Sequence, residues 1–197
     1  MRIAVAVKQV LDPEAVNSNA LWGKLAIDSS GRRFAIGDAI PLIINTYDEQ
    51  ALEVAFRIRD AGTPVEIAAF TVGPSSAAEV LKRCFALGVD AGIHIETALE
   101  VTNGFDAGML LAGAMKRLGP FDLVLCGRQG SDFDQGVVPG VLAEALGAAL
   151  VSVAAGVAAE QEKIIVHQVT PDGVAVVEAV PPAVVSVSNE VGQVRYP

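Results

Sequence analysis

The sequence predicts an α/β protein with a doubly wound, mostly parallel sheet, helices on both faces and an appended antiparallel C-terminal meander. Three observations lead to this prediction. Strand-like and helix-like segments alternate along residues 1–147, which is the pattern of a parallel sheet. The first strand, residues 2–10, is mostly apolar, as expected of a strand buried on both faces. The last part of the chain, from residue 150, consists of strand-like runs.

The individual elements follow from apolar periodicity, glycine stops and capping residues. After the first strand comes an irregular excursion, in which residues 25–36 are typical of a small hairpin. Thr46 with Glu49, and Ser76 with Glu79, have the spacing of capping boxes and predict two helix starts. Asn103 is the predicted cap of a further helix. The further predicted elements are strands at 64–72, 91–95 and 123–126, and helices at 46–62, 76–88, 103–118 and 137–146. In a doubly wound order, the first strand and the strand at 123–126 are expected to be neighbours, with helices leaving them toward opposite faces.

The C-terminal part predicts strands at 150–157, 163–169, 174–180 and 183–187. A Thr-Pro-Asp-Gly turn at 170–173 joins two of them. No long linker separates these strands from the rest of the chain, so we predict one domain over residues 1–197.

Composition and charge disfavour several classes of function. The net charge is -9 and basic clusters are absent, which disfavours nucleic-acid binding. No apolar run reaches the ~18 residues of a membrane span, and the chain enters a strand without a signal-peptide layout, so we expect a cytoplasmic protein. Cys84 and Cys126 lack CxxC spacing and are expected to be reduced core residues. His94 and His167 have no ligand partners at a useful spacing, so no metal site is predicted.

The stretch Phe121–Gly147 is the predicted functional centre, because it reads as strand, polar loop and helix. In open α/β sheets, ligands bind where the carboxyl ends of strands feed such loops. Gln129 and Gln135 could hydrogen-bond a base or a sugar. Asp132 and Asp134 fit either as acceptors for ribose hydroxyls or as helix caps in an ordinary surface loop. Residue types alone leave these two interpretations equally open.

Lys8, at the carboxyl end of the first strand, is either a ligand contact or a solvated strand end. The sequence contains no GxSxG elbow, Walker A loop, HExxH motif or GxGxxG fingerprint. The residues therefore predict a nucleotide-binding module without a catalytic constellation of its own.

Five segments together resemble the beta subunit of electron transfer flavoproteins, including the nitrogen-fixation-linked members. They are AVAVKQVLD (4–12), NTYDEQALEVAFRIRD (45–60), ALGVDAGIHI (86–95), DLVLCGRQGSDFD (122–134) and PPAVVSVSNEVGQVRYP (181–197). The resemblance implies an adenine nucleotide alpha hydrolase-like fold, AMP or a second FAD in the crevice, and a further FAD shared with an alpha subunit. It also implies acyl-CoA or other dehydrogenases as electron donors, and an electron carrier rather than an enzyme.

Carried over by matching positions, the resemblance implies a cofactor-binding set of eighteen residues. They are Ala6, Asn45, Thr46, Tyr47, Asp48, Val72, Gly127, Arg128, Gln129, Gly130, Ser131, Asp132, Phe133, Asp134, Gln135, Gly136, Val137 and Val138. Tyr47 matches a family aromatic that faces the shared flavin. Asn45-Thr46-Tyr47 stands where the family has Asn-Pro-Phe, and Val137 replaces a polar side chain.

Alternatives remain at this stage. One is a free-standing adenine-nucleotide-binding or sensing protein of the same fold without a redox partner. Others are an enzyme acting on an adenine nucleotide and a structural partner with an empty crevice. The family continues past its Arg-Tyr-Pro with segments that contact dehydrogenases and the alpha subunit, whereas this sequence stops at Pro197. We therefore expect a shortened member or different partner contacts.

Overall fold

A computed structural model describes residues 1–16, 40–97, 103–160 and 162–196. The strands are β1 (Arg2–Ala6), β2 (Gln9–Leu11), β3 (Leu42–Ile44), β4 (Glu66–Gly73), β5 (Ala91–Glu96), β6 (Leu123–Gly127), β7 (Ala149–Glu160), β8 (Lys163–Thr170), β9 (Gly173–Ala179) and β10 (Ala183–Val187). The α-helices are α1 (Pro13–Val16), α2 (Thr46–Asp60), α3 (Glu79–Leu87), α4 (Gly104–Leu118) and α5 (Val138–Leu146). The predicted hairpin at 25–36 lies outside the described residues.

Eight strands form one sheet in the order β5-β4-β1-β6-β10-β7-β8-β9. β1 is parallel to both β4 and β6, with Ala6 opposite Phe70 on one side and opposite Cys126 on the other. The predicted neighbourhood of the first strand and the strand at 123–126 is therefore confirmed. β8 and β9 continue the sheet in antiparallel pairing. The observed fold is the predicted mostly parallel α/β sheet with antiparallel C-terminal strands.

Side chains of β1 alternate between two apolar cores because successive residues of a strand point to opposite faces. Ile3 and Val5 pack in the core that α2 and α3 cover. Ala4 and Ala6 pack in the core that α4 and α5 cover. Because α2 follows β1 and α5 follows β6, the chain leaves these neighbouring strands toward opposite faces of the sheet, which opens a crevice at their carboxyl ends.

Two details differ from the sequence prediction in the strands. The first strand ends at Ala6 instead of residue 10, because the backbone N–H of Lys8 turns to the Asp48 carboxylate. Residues 9–11 then pair antiparallel with β3. The strand at 183–187 lies between β6 and β7 and is parallel to both, so it belongs to the parallel sheet instead of the meander.

The two predicted capping boxes are wrong. Asn45, not Thr46, is the N-cap residue of α2, and its side chain makes no capping bond. Ser76 lies inside a 3-10 turn (Ser75–Ala78) that precedes α3, again without a side-chain cap. The predicted cap at Asn103 is present, since its side chain accepts a hydrogen bond from the N–H of Asp106 at 2.8 Å.

Candidate functional site

A crevice opens where β1, β4 and β6 end, at the switch point of the sheet. Its cavity has a volume of about 120 Å³, and about 810 Å³ of free space when the open mouth is counted. One wall is apolar and is formed by Ala6, Val72, Leu111 and Cys126. The polar loop between β6 and α5 supplies much of the remaining lining. The combination of an apolar wall and a few polar groups is typical of small-ligand sites.

Two helix starts meet at this crevice. Gly104 begins α4 and Val138 begins α5, and both line the cavity. A Cβ added to Gly104 would lie 3.1 Å from Cβ of Val137, so the two helix ends approach closely. The side-chain oxygen of Gln135 accepts a hydrogen bond from the Gly104 N–H at 2.8 Å. Helix starts carry a partial positive charge, so this end of the crevice favours an anionic group.

The loop between β6 and α5 is held in place by Asn45. The Asn45 side chain donates to the carbonyl oxygen of Gln129 at 2.9 Å and accepts from the N–H of Ser131 at 3.1 Å. Asn45 is 1% exposed, so both bonds are shielded from water. Because the Asn45 side chain is engaged in these two bonds to the loop, it makes no capping bond to α2. The loop is therefore ordered by the protein itself.

Asp48 joins the ends of β1 and β6 beneath the crevice. One carboxylate oxygen accepts the N–H of Lys8 at 2.8 Å, and the other accepts the N–H of Gly127 at 3.0 Å. Burial raises the pKa of the Asp48 carboxyl from 3.8 to about 7, although hydrogen bonds from Asn45, Lys8 and Gly127 favour the ionised form. The desolvation of this buried charge outweighs those bonds.

Gly127 is required by this junction. A Cβ at Gly127 would lie 2.4 Å from Oδ1 of Asp48 and 2.6 Å from Cβ of Tyr47. Real Cβ atoms do not approach other atoms so closely, so a larger residue would push α2 away from β6. The glycine lets the start of α2 sit directly against the end of β6.

Lys8 and Asp132 form an ion pair across the crevice mouth. The Lys8 ammonium donates to both oxygens of Asp132, at 2.8 and 2.7 Å. The same ammonium lies 5.2 Å from the centre of the Phe133 ring. Lys8 is thus a crevice residue and not only a solvated strand end.

Comparison with known proteins identifies the family. The family described as "Electron transfer flavoprotein domain" matches residues 35–194. The chain belongs to the electron transfer flavoprotein family. It is 30% identical over 204 residues to an electron transfer flavoprotein subunit beta of Megasphaera elsdenii, covering 100% of this chain and 72% of that protein.

Two other relatives of this electron transfer flavoprotein subunit have a reductase in their names. It is 32% identical over 197 residues to caffeyl-CoA reductase-Etf complex subunit CarD of Acetobacterium woodii, covering 100% of this chain and 71% of the relative. It is 30% identical over 201 residues to the acryloyl-CoA reductase electron transfer subunit gamma of Anaerotignum propionicum, with coverage of 100% and 71%. The family match and the relatives named as subunit beta show that the chain is an electron-transfer subunit and not a catalytic one.

Most of the eighteen residues predicted for the electron transfer flavoprotein site come together at the crevice. Those that line it are Ala6, Asn45, Asp48, Val72, Gly127, Gln129, Gly130, Asp132, Phe133, Gln135, Gly136, Val137 and Val138. Five others do not line it, namely Thr46, Tyr47, Arg128, Ser131 and Asp134. Asp134 accepts a bond from the Gln129 side chain at 2.7 Å, and the Arg128 guanidinium lies 5.2 Å from the Tyr47 ring centre. The binding roles of all eighteen residues remain predictions.

Sequence reasoning missed the wall contributed by α4. Asn103, Gly104, Ala107 and Leu111 line the crevice, yet only Asn103 drew attention, and only as a cap. A usable signal existed, because in the doubly wound order α4 and α5 cover the same face of the sheet. The start of α4 must then lie at the carboxyl edge beside α5.

The remaining sequence predictions concern cysteines, metals and membranes. Cys84 and Cys126 are buried free thiols, as predicted. Burial raises the pKa of Cys84 to about 12 and raises that of Cys126 as well, so neither is a reactive thiolate. Within the described ranges no cluster of three or more His, Cys, Asp and Glu could hold a metal ion. No helix in this part of the chain is long and apolar enough to cross a membrane.

Proposed function

We propose that this electron transfer flavoprotein subunit binds an adenine nucleotide in the crevice, either AMP or the adenine half of a second FAD. We further propose that it acts in a heterodimer with an alpha subunit, with which it shares another FAD. The observation that supports this proposal is the crevice itself: an apolar wall, an ordered polar loop and two helix starts meet at the switch point of the sheet.

The residues present fit an adenine nucleotide. The apolar wall of Ala6, Val72 and Leu111 suits the flat face of adenine. Gln135 accepts a hydrogen bond from Gly104 through its amide oxygen, which leaves its NH2 group as a donor for a ligand. The starts of α4 and α5 favour a phosphate. Pro139 removes one N–H donor from the first turn of α5, so fewer backbone groups serve the phosphate there.

The flavin supplies the redox chemistry, and the protein supplies binding and orientation. Because Asn45 and Asp48 fix the loop and the strand ends before any ligand arrives, little ordering entropy is lost on binding. Tyr47 lies at the start of α2, outside the crevice, with the Arg128 guanidinium over its ring. We propose that this pair faces the shared flavin and packs against its ring system.

The wider assignment follows from the family. The proposed electron donors are acyl-CoA or other dehydrogenases, and the proposed location is the cytoplasm. We also propose one domain over residues 1–197, since strands from both ends of the chain join one sheet. The names of two relatives support a role in electron transfer with a partner oxidoreductase, because both include a reductase.

Titration with AMP tests the nucleotide proposal. Isothermal calorimetry on the purified chain should give one AMP site. Ala107 lines the crevice from α4, so Ala107→Leu fills the cavity and should weaken AMP binding at least tenfold. Ala86 is an exposed residue of α3 outside the crevice, so Ala86→Leu is the matched control and should bind AMP as the parent does. Absence of binding to AMP and FAD, or equal binding by Ala107→Leu, would overturn the proposal.

Purification from the native host tests the heterodimer. The protein is isolated without added nucleotide and denatured, and the released small molecules and co-purifying chains are identified by mass spectrometry and flavin absorbance. AMP or FAD together with an alpha-type chain supports the proposal. A nucleotide without any partner would instead favour a free-standing nucleotide-binding protein.

A further inference from the structure

The crevice contains little positive charge. Among the described lining residues, Lys8 is the one basic side chain, and Asp48 and Asp132 are the two acidic ones. Asp48 is 5% exposed and its oxygens are occupied by the N–H groups of Lys8 and Gly127. The Lys8 ammonium is held by both oxygens of Asp132. A ligand therefore meets a lysine whose charge is already neutralised.

The local geometry is built around this ion pair. A Cβ added to Gly130 would lie 2.7 Å from Oδ1 of Asp132 and 3.4 Å from Nζ of Lys8, so glycine leaves the space that the pair fills. Oδ1 of Asp132 also accepts the N–H of Phe133 at 3.0 Å. The Asp132 side chain is 24% exposed, so its charge is screened less than that of an open surface residue.

We propose that Asp132, by pairing with Lys8, sets the phosphate specificity of the crevice, because it keeps the lysine from favouring ADP and ATP over adenine nucleotides with about two negative charges. This inference rests on the proposed nucleotide binding. AMP and the diphosphate bridge of FAD each carry about two charges, whereas ADP and ATP carry about three and four. Because the charge of Lys8 is already neutralised by Asp132, each added phosphate charge gains no affinity from this lysine.

The distance between the Lys8–Asp132 pair and a bound phosphate is short enough for a measurable effect on nucleotide affinity. The pair lies at the mouth of a crevice whose free space of about 810 Å³ is roughly 12 Å across, so a phosphate bound there lies at about the ~8–10 Å Debye length from the pair. At ~8 Å and an effective dielectric constant of about 40, each added phosphate charge changes affinity by roughly fivefold. Removing one partner of the pair should therefore change the ratio of ATP to AMP affinity by roughly tenfold or more.

The experiment measures the Kd of AMP, ADP and ATP for the full chain in EDTA at two salt concentrations. Asp132→Asn keeps the shape of the side chain but frees the Lys8 ammonium. It should lower the ratio of Kd for ATP to Kd for AMP at least tenfold, most strongly at low salt. Lys8→Met leaves the carboxylate unpaired and should raise the ratio. The double variant, Lys8→Met with Asp132→Asn, restores neutrality and should return the ratio toward that of the parent.

The matched control is Glu178→Gln. Glu178 pairs with Lys163 on the exposed β8–β9 edge, so this variant changes the net charge by the same amount outside the crevice and should leave the ratio unchanged. If AMP binds but none of the crevice variants changes the ratio, the specificity proposal is overturned and nucleotide binding stands. If the parent binds no nucleotide, the proposed function itself fails. If Asp132→Asn does not fold, Lys8→Met still tests the specificity proposal, because it should raise the ratio of Kd for ATP to Kd for AMP.

Discussion

Replacing Asp48 by asparagine should remove a pH-dependent part of the protein's stability. Burial raises the pKa of the Asp48 carboxyl from 3.8 to about 7 in the folded protein. Between these values the folded chain holds a proton that the unfolded chain has released, so the free energy of unfolding falls as pH rises. The slope approaches 1.4 kcal/mol per pH unit, which integrates to about 2–3 kcal/mol between pH 5 and pH 8.

Urea unfolding followed by circular dichroism at pH 5, 6, 7 and 8 measures this slope. Asp48→Asn cannot ionise, so its free energy of unfolding should lose this component of the pH dependence. Glu53 does not contribute to the slope between pH 5 and pH 8, because its pKa is lowered from 4.5 and its effect on stability falls below that pH. The control Glu79→Gln alters an exposed ion pair on α3 and should keep the parental slope. Parallel pH curves for the parent and Asp48→Asn would refute the reasoning.

Two further predictions concern packing and the C-terminal segment. Gly127→Ala should lower the free energy of unfolding by about 2–3 kcal/mol, because its Cβ would lie 2.4 Å from Asp48. Gly113→Ala, with nothing within 4 Å, should leave it unchanged or raise it by up to about 1 kcal/mol, and equal effects would contradict the packing argument. Arg195→Ala removes the guanidinium bonds of 2.8 and 3.4 Å to the buried Glu53 and should cost about 1–2 kcal/mol. An unchanged Tm for Arg195→Ala would show that Arg57 and the backbone N–H of residue 195 are enough to satisfy Glu53.

The sequence was sufficient for the elements near the functional centre. Apolar runs and glycine stops predicted β6 and α5 to within one residue at their ends. Asn103 was correctly assigned as a cap, because the capping bond lies within one helical turn. The order of β1 and β6 also followed from the sequence, since right-handed crossovers leave few arrangements for alternating strands and helices. These features depend on neighbours in the chain or on general rules of chain connection.

The tertiary structure alone decided how distant residues meet. β10 is as apolar as a meander strand, and its sequence does not reveal that it pairs with β6 and β7 in the parallel sheet. Asn45 has the composition of a cap, yet its side chain bonds a loop 84 residues away. Periodicity reports which face of a segment is buried but not which segment covers it. The shifted pKa of Asp48 and the Lys8–Asp132 pair arise from such distant contacts. The sequence by itself therefore determined the fold and the location of the crevice. Only the tertiary structure decided which charged groups of the crevice are paired or buried.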